Sequence, residues 1–341
     1  MSLLYAHLTR ARRRFYAARP ERRRRLARAV ISVGNLSVGG SGKTPIVELV
    51  ARLLHAAGRR PAVLTRGYGR ANVTDGALVV SDGTRVCAEL ASAGDEPLML
   101  ARNLPGVVVI VSPDRYLAGR LAERRFGCDV HVLDDGYQHL QLARDIDLLL
   151  AGDEEIDRPS VLPRGRLREP LDAARHADAL LWTGPARDAR TGAERFGLSV
   201  AFEVRRAAGS LHGAPFGDAR PPAGARIVAL AAIARPRPFI DGLRAAGFDV
   251  AAEMTWPDHH RFTPGDLARV RAAVVERGAS GVVTTEKDMV RLLPFRPLPF
   301  AVAWQRLDVT IDPADAFEGW LTERLREADA RAAARLAERA A

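Results

Sequence analysis

The sequence predicts an α/β protein: a parallel-sheet domain of the P-loop NTPase-like kind, followed by a second, smaller α/β domain. Three observations carry that expectation. An apolar strand, a glycine-rich loop and an amphipathic helix follow one another around "SVGNLSVGGSGKTP" at 32–45. Short buried-strand runs then alternate with helical stretches, and from about residue 196 the alternation restarts after a polar, glycine-bearing stretch. At 341 residues the chain exceeds what one core usually serves. The expected division is a basic N-terminal segment (1–30), a P-loop domain (31–195), a second α/β domain with its linker (196–314) and a C-terminal helix (315–341).

The first segment concentrates the charge. Residues 1–28 hold ten arginines against Glu21 alone, a net of +9 out of +10 for the whole chain. The remainder is therefore near neutral, so the basic character belongs to this segment and not to a face of the fold. Leu4, Leu8, Ala11 and Phe15 recur at helical spacing, as in a short helix lying on an anionic membrane with its arginines reaching the head groups. A solvated basic tail, a nucleic-acid arm and an arginine-rich targeting peptide share that composition. No run approaches the 18 or so apolar residues a spanning helix needs.

Next come Val30, Ile31 and Val33 as a strand, the loop, and a helix carrying Ile46, Val47, Leu49, Val50, Leu53 and Leu54. The strict phosphate-loop pattern is G-x-x-x-x-G-K-[ST], and here Ser37 stands where its first glycine would be. Gly42-Lys43-Thr44 is intact. In that geometry the backbone N–H groups of Ser37, Val38, Gly39, Gly40, Ser41 and Gly42 surround phosphate, Lys43 reaches the outer phosphates and the Thr44 hydroxyl binds Mg²⁺. A plain strand-to-helix turn is the competing reading. Composition weighs against it, because Lys43 and Lys287 are the two lysines among 51 basic residues. Arginine would be a poor point charge inside so tight a loop.

"RPAVLTRGYG" and "GALVVSDG" then read as strands closed by turns, and "VVVIVSP" as a buried strand followed by a helix over 115–126. "CDVHVLDDG" and "DIDLLLAG" are further strands, which together imply a parallel sheet covered on both faces. In the second domain "RIVALAAI", "FDVAAEM" and "GVVTTEKD" read as strands. "PRPFIDGLRAAG" and "TPGDLARVRAAVVERG" read as helices, and residues 315–340 as a terminal amphipathic helix. Cys87 and Cys128 have no metal-ligand spacing and are expected to be inert buried thiols of a reducing compartment.

Several polar groups point to chemistry. Asp134 and Asp135 follow a strand, where an acid holds Mg²⁺ in P-loop proteins; Asp-Asp-Gly is equally turn chemistry. Asp95 and Glu96 open an apolar helical run and read alone as a helix start. His259 and His260 are adjacent and so point apart, which suits one catalytic histidine better than a two-His metal site. Arg66, Arg115 and Arg168 sit in turns, either as surface charges or as partners of phosphate oxygens.

Taken in order, "VGNLSVGGSGKTP", "LTRGYGR", "AGDEPLML", "LDDGYQHLQLARDIDLLL", "LPRGRLREPL", "WPDHHRF" and "TTEKDMVRL" resemble the tetraacyldisaccharide 4′-kinase (lipid A 4′-kinase) family of Gram-negative bacteria, over about residues 31–293. That family also uses Ser or Thr at the position of Ser37. The resemblance implies ATP- and Mg²⁺-dependent transfer of a γ-phosphoryl group to the 4′-hydroxyl of a tetraacylated glucosamine disaccharide 1-phosphate. It implies two α/β units joined by paired strands, for which "GLSVAFEV" and "AVAWQRLDV" are the candidates. By position, Lys43 would bind the β/γ-phosphates, Thr44 and Asp135 would serve Mg²⁺, and Asp134 would sit beside them. Asp95 would be the base for the 4′-hydroxyl, working with His259. Glu96, His139, Arg168 and Glu169 would neighbour it, with Tyr68 near the site and Arg115 near phosphate.

The family usually opens with a more apolar helix than this arginine-crowded one. The expected location is therefore peripheral, on the cytoplasmic face of the bacterial inner membrane through acidic lipid, with no nucleic acid and no obligate protein partner. A P-loop switch protein that grips a partner or nucleic acid through the tail is the alternative class; no N-K-x-D guanine motif occurs.

Overall fold

The computed structural model describes residues 1–39, 42–72, 75–213 and 221–340. The elements in chain order are α1 (Ser2–Ala18), β1 (Ala29–Asn35), α2 (Lys43–Ala56), β2 (Pro61–Thr65), β3 (Leu78–Asp82), α3 (Leu90–Ala93), α4 (Asp95–Asn103), β4 (Val108–Val111), α5 (Arg115–Phe126), β5 (Val130–Asp134), β6 (Ile146–Ala151) and α6 (Asp153–Asp157). They continue with β7 (Ala179–Trp182), α7 (Ala189–Phe196), β8 (Ala201–Gly213), β9 (Arg226–Ala231), α8 (Arg237–Ala245), β10 (Asp249–Thr255), α9 (Pro264–Glu276), β11 (Val282–Thr285), α10 (Glu286–Leu292), β12 (Val302–Asp312) and α11 (Ala314–Ala340).

The strands form one sheet in the order β10-β9-β11-β12-β8-β7-β6-β1-β5-β2-β4-β3. β1 lies between β5 and β6, parallel to both, with Val33 opposite Asp134 and Asn35 opposite Leu150. All seven β1 residues are buried, as a strand covered by helices on both faces must be. On one face Ile46, Val47, Val50, Ala51 and Leu54 of α2 pack with Leu98 and Leu100 of α4. On the other, Ala118 and Ala122 of α5 pack with Leu26, Val30 and Leu64. α5 is delimited by local chemistry. The Asp114 carboxylate accepts from the Tyr116 and Leu117 N–H groups, and Gly127 ends the helix at φ +63°, where a side chain would be strained.

The strands at 201–213 and 302–312 pair antiparallel from Glu203–Asp312 to Gly213–Ala303. They carry the sheet from the P-loop half into the parallel set β10-β9-β11-β12. The second half has its own core, with Val228, Leu230, Val282, Met289, Leu292 and Val302 on one face. α9 starts on a capping box: Thr263 accepts from the Asp266 N–H, and Asp266 accepts back from the Thr263 N–H. α11 returns to the first half, burying Phe317, Leu321, Leu325 and Ala328 in the same core as β1.

α1 docks on the first half with Ala6 and Arg13 buried, while Leu4, Leu8 and Phe15 are exposed. At about 100° per residue these apolar side chains lie opposite Arg13, on the side turned away from the body. The expectation of two buried thiols fails at one position: Cys128 is buried, its thiol pushed up to about 12 by burial, but Cys87 is exposed.

Candidate active site

The loop between β1 and α2 is held by the elements around it. Lys43 Nζ donates to Asn35 Oδ1 at 3.0 Å and lies 3.5 Å from Asp135. Ser37 earns its place by a hydrogen bond no glycine could make: its hydroxyl donates to Glu155 at 2.7 Å and accepts from Asn35 Nδ2 at 3.0 Å. The Val38 N–H donates to the Arg166 carbonyl and the Arg168 N–H to that of Leu36. Gly39 and Gly42 have φ of +100° and +75°, a backbone region that favours glycine. Gly40 and Ser41 of the expected loop lie outside the described residues. Thr44 is buried in the first turn of α2.

β5 delivers the two aspartates at its carboxyl end, beside the loop. Asp135 takes φ +53° and receives both Arg168 Nη atoms at 2.7 Å; Arg168 also donates to Asn35. Burial opposes the Asp135 charge, yet the Arg168 hydrogen bonds and Lys43 hold its carboxyl at about 2. Asp134 behaves oppositely. Buried, and facing the charges of Glu96 and Asp135, it is pushed up to about 7 despite Lys43 and a 3.2 Å hydrogen bond from Thr65.

Arg115 stands buried at the start of α5. Burial lowers its guanidinium to about 10, against the pull of Asp134 and Asp135, and among the described residues its Nε has no hydrogen-bond partner. Burial together with Arg115 and Arg144 pushes His139 down to about 4, so its ring is neutral near pH 7.

A second cluster joins the two halves of the sheet. Asp95, at the first turn of α4, is buried, and its Oδ2 lies 3.0 Å from His259 Nδ1 and 2.7 Å from Arg291 Nε. An ionised carboxylate only accepts, so Nδ1 carries the imidazole proton, while Nε2 faces Lys287 Nζ at 3.3 Å. Burial works against the Asp95 charge, but His259, Lys287 and Arg291 outweigh it and hold the carboxyl well below the usual range. His259 is fixed at φ +60° with its N–H on Asp258. Tyr68, exposed, meets the His259 ring edge-on at 5.3 Å.

His260 points elsewhere, to Asp266 at 3.0 Å, as adjacency predicts. Lys287 donates to Glu96 at 2.8 Å and lies 3.4 Å from Asp258. Burial disfavours its charge, but Glu96, Asp95 and Asp258 together raise its pKa.

Glu169 departs from the expected arrangement. It follows Arg168 in the chain, but its carboxylate is buried against Arg13 of α1 through hydrogen bonds of 2.7 and 3.0 Å, not turned to the Asp95 cluster. Arg13 also lies 4.7 Å from the centre of the Tyr137 ring.

Sequence reasoning missed Asn35, Thr65, Arg13, Asp288 and Arg291. All but Arg13 carried a signal: Asn35 and Thr65 lie inside the motifs "VGNLSVGGSGKTP" and "LTRGYGR", and Asp288 and Arg291 share one helical stretch with the rare Lys287.

A glycine-bearing loop with its lysine beside strand-end aspartates, facing a buried carboxylate–imidazole pair from across the sheet, defines a P-loop phosphotransferase. The particular family follows from comparison: the family model for tetraacyldisaccharide-1-P 4′-kinase (LpxK) matches residues 1–326, and the chain belongs to this family. Relatives named tetraacyldisaccharide 4′-kinase include one from Geobacter metallireducens, 44% identical over 301 residues, covering 86% of this chain and 87% of the relative. Another, from Syntrophus aciditrophicus, is 39% identical over 351 residues, covering 96% and 92%. The crystal structure of LpxK from Aquifex aeolicus in complex with ATP superposes with a TM-score of 0.76 at 32% identity, covering 95% of this chain and 97% of that one.

Proposed function

We infer that the chain transfers the γ-phosphoryl group of ATP to the 4′-hydroxyl of a tetraacyldisaccharide 1-phosphate, giving the 1,4′-bisphosphorylated lipid A precursor. The observation that carries this reading is a linked set of charges in a chain of this family: Lys43 at the phosphate loop lies 3.5 Å from Asp135, Asp134 feels both Lys43 and Glu96, Lys287 donates to Glu96, and Asp95 pairs with His259.

The loop backbone and Lys43 hold the outer phosphates, and Arg115, with an unused Nε, offers a further cation to them. Arg168 fixes Asp135 against Asn35 and so keeps the loop and the aspartates in register. Asp95 accepts the proton that the sugar hydroxyl gives up as it attacks, and His259 orients it. Tyr68 presents its ring beside His259 to the sugar, and Glu96 aligns Lys287. His139, neutral, lines the wall next to Arg115. Glu169 acts on the site through Arg13, by seating α1. Positioning and charge neutralisation supply most of the rate, because the transition state of phosphoryl transfer is loose.

Mg²⁺ fits this corner. Asp134, Asp135 and Glu96 crowd negative charge beside Lys43, and that crowding adds to burial in pushing Asp134 up. Thr44 and Asp135 would hold the ion, Asp135 having lone pairs beyond those Arg168 uses. When bound, it neutralises charge on the phosphate oxygens. Among the described residues no helix is long and apolar enough to cross a membrane. The exposed Leu4, Leu8 and Phe15 side of α1, flanked by arginines, suits peripheral binding to the anionic cytoplasmic face of the inner membrane.

The test is incubation with γ-labelled ATP and the acylated disaccharide 1-phosphate. Label is expected on the distal sugar, and Asp95→Ala should abolish it while ATP still binds; full activity in that variant would refute the base assignment.

A further inference from the structure

Asp95 is the most heavily contacted carboxylate of the site, and its contacts are asymmetric. Oδ2 receives the His259 ring and both the Nε and Nη2 of Arg291, whereas among the described residues Oδ1 accepts just the Glu96 N–H at 2.9 Å. Arg291 is itself immobilised: its Nη1 donates to the Ala232 carbonyl at 2.6 Å and to Asp288 Oδ1 at 2.7 Å. Asp288 is fully buried and accepts from the Ala232 N–H at 3.0 Å and the Thr285 hydroxyl at 2.7 Å. One backbone position just past β9, Ala232, thus anchors both members of the pair, and the guanidinium forms a plate between that anchor and Asp95.

We propose that Arg291, braced by Asp288, is a positioning residue for the reaction: it pins Oδ2 of Asp95 and leaves Oδ1 as the oxygen that meets the acceptor hydroxyl. This rests on Asp95 being the proton acceptor. A simple tie between the sheet halves would need one charge contact, whereas here a planar fork spends every nitrogen on direction. A lysine could supply the charge without the orientation.

The charged groups facing Asp95 are Arg291 and Lys287 from α10, His259 and Asp258 from the loop after β10, Glu96 from its own helix, and Arg70, whose side chain packs beside Gly94. Removing Arg291 takes away the cation in closest contact, so the carboxyl must titrate at higher pH.

The experiment uses the full chain with ATP and the lipid acceptor, and compares Arg291→Met, Arg291→Lys, Asp288→Asn and Asp95→Asn across pH. Arg291→Met is expected to lower kcat roughly 100-fold through misplacement of the base. It should leave the KM for ATP within about two-fold and move the acidic limb of kcat to higher pH. Arg291→Lys should restore the limb while kcat stays about ten-fold low, and Asp288→Asn should shift kcat in the same direction by less. If Arg291→Met does not fold, the other two carry the same readouts.

A kcat within three-fold of the parent with an unmoved limb, or a KM for ATP that rises in step with the loss of kcat, would overturn the proposal. Asp95→Asn separates the two ideas. If it is inactive while Arg291→Met is unaffected, the positioning role alone is wrong; if it remains active, the base assignment and the positioning role fall together.

Discussion

Replacing Arg13 with methionine keeps an unbranched, apolar stem but removes the cation that covers Glu169. Both side chains are less than a tenth exposed, at 8% and 5%, so solvent screens the pair little. Breaking a buried pair from one side costs about 3–5 kcal/mol, because the carboxylate left behind is buried and uncompensated. The lost contact with the Tyr137 ring adds about 1 kcal/mol.

That cost falls on the docking of α1, since a lone helix of 17 residues without arranged partners is marginal in water. At 1.36 kcal/mol per decade, the population with α1 released should rise by roughly three to four decades. Amide hydrogen exchange reads this directly: protection within α1 should collapse by that factor, while β1 amides keep theirs. Adding Glu169→Gln to Arg13→Met should return most of the protection, because the stranded charge is gone. A loss under about five-fold in the single variant would refute the argument that this pair seats the helix.

Lys43→Arg should fail to rescue what Lys43→Met loses, with kcat/KM down at least 100-fold in both, measured with labelled ATP. Asp134 is raised to about 7 in the fold and is therefore protonated there at pH values where the unfolded chain has already ionised. The folded state binds the extra proton, so stability falls as pH rises from about 4 to about 7. Asp134→Asn should flatten that decline, as read from denaturant midpoints at pH 5 and pH 7. Leu4→Asp with Leu8→Asp should abolish flotation with anionic vesicles yet leave the protein folded by circular dichroism; flotation that persists would show that this face does not meet the lipid.

The elements with local signals were legible: the loop ending in Gly42-Lys43-Thr44, the helix from Arg115 and the strand ending at Asp134 lie where periodicity and caps place them. β7 escaped notice because four residues, Ala179–Trp182, show no period. The destination of Glu169 was illegible for a different reason. Its partner lies 156 residues away in a segment whose composition reads as a membrane-surface helix or a basic tail. Ser37 was legible as a departure from the pattern, but its use against Glu155 of α6, 118 residues on, depends on a contact no local pattern encodes. Arg291 sat in plain view four residues after Lys287; what hid it is that a helix names neighbours on its own face and not the carboxylate across the sheet.

The scarcity of lysine has a practical consequence. Its two primary side-chain amines, Lys43 and Lys287, both stand in the site, with side chains 13% and 18% exposed. For an amine-selective acylating reagent the chain therefore has three targets: the amino terminus, Lys43 beside the glycine-bearing loop and Lys287 beside Glu96. An ordinary labelling reagent thus becomes site-directed without design. Peptide mapping by mass spectrometry should find Lys43 shielded when ATP is present, a footprint of nucleotide occupancy that needs no engineered probe.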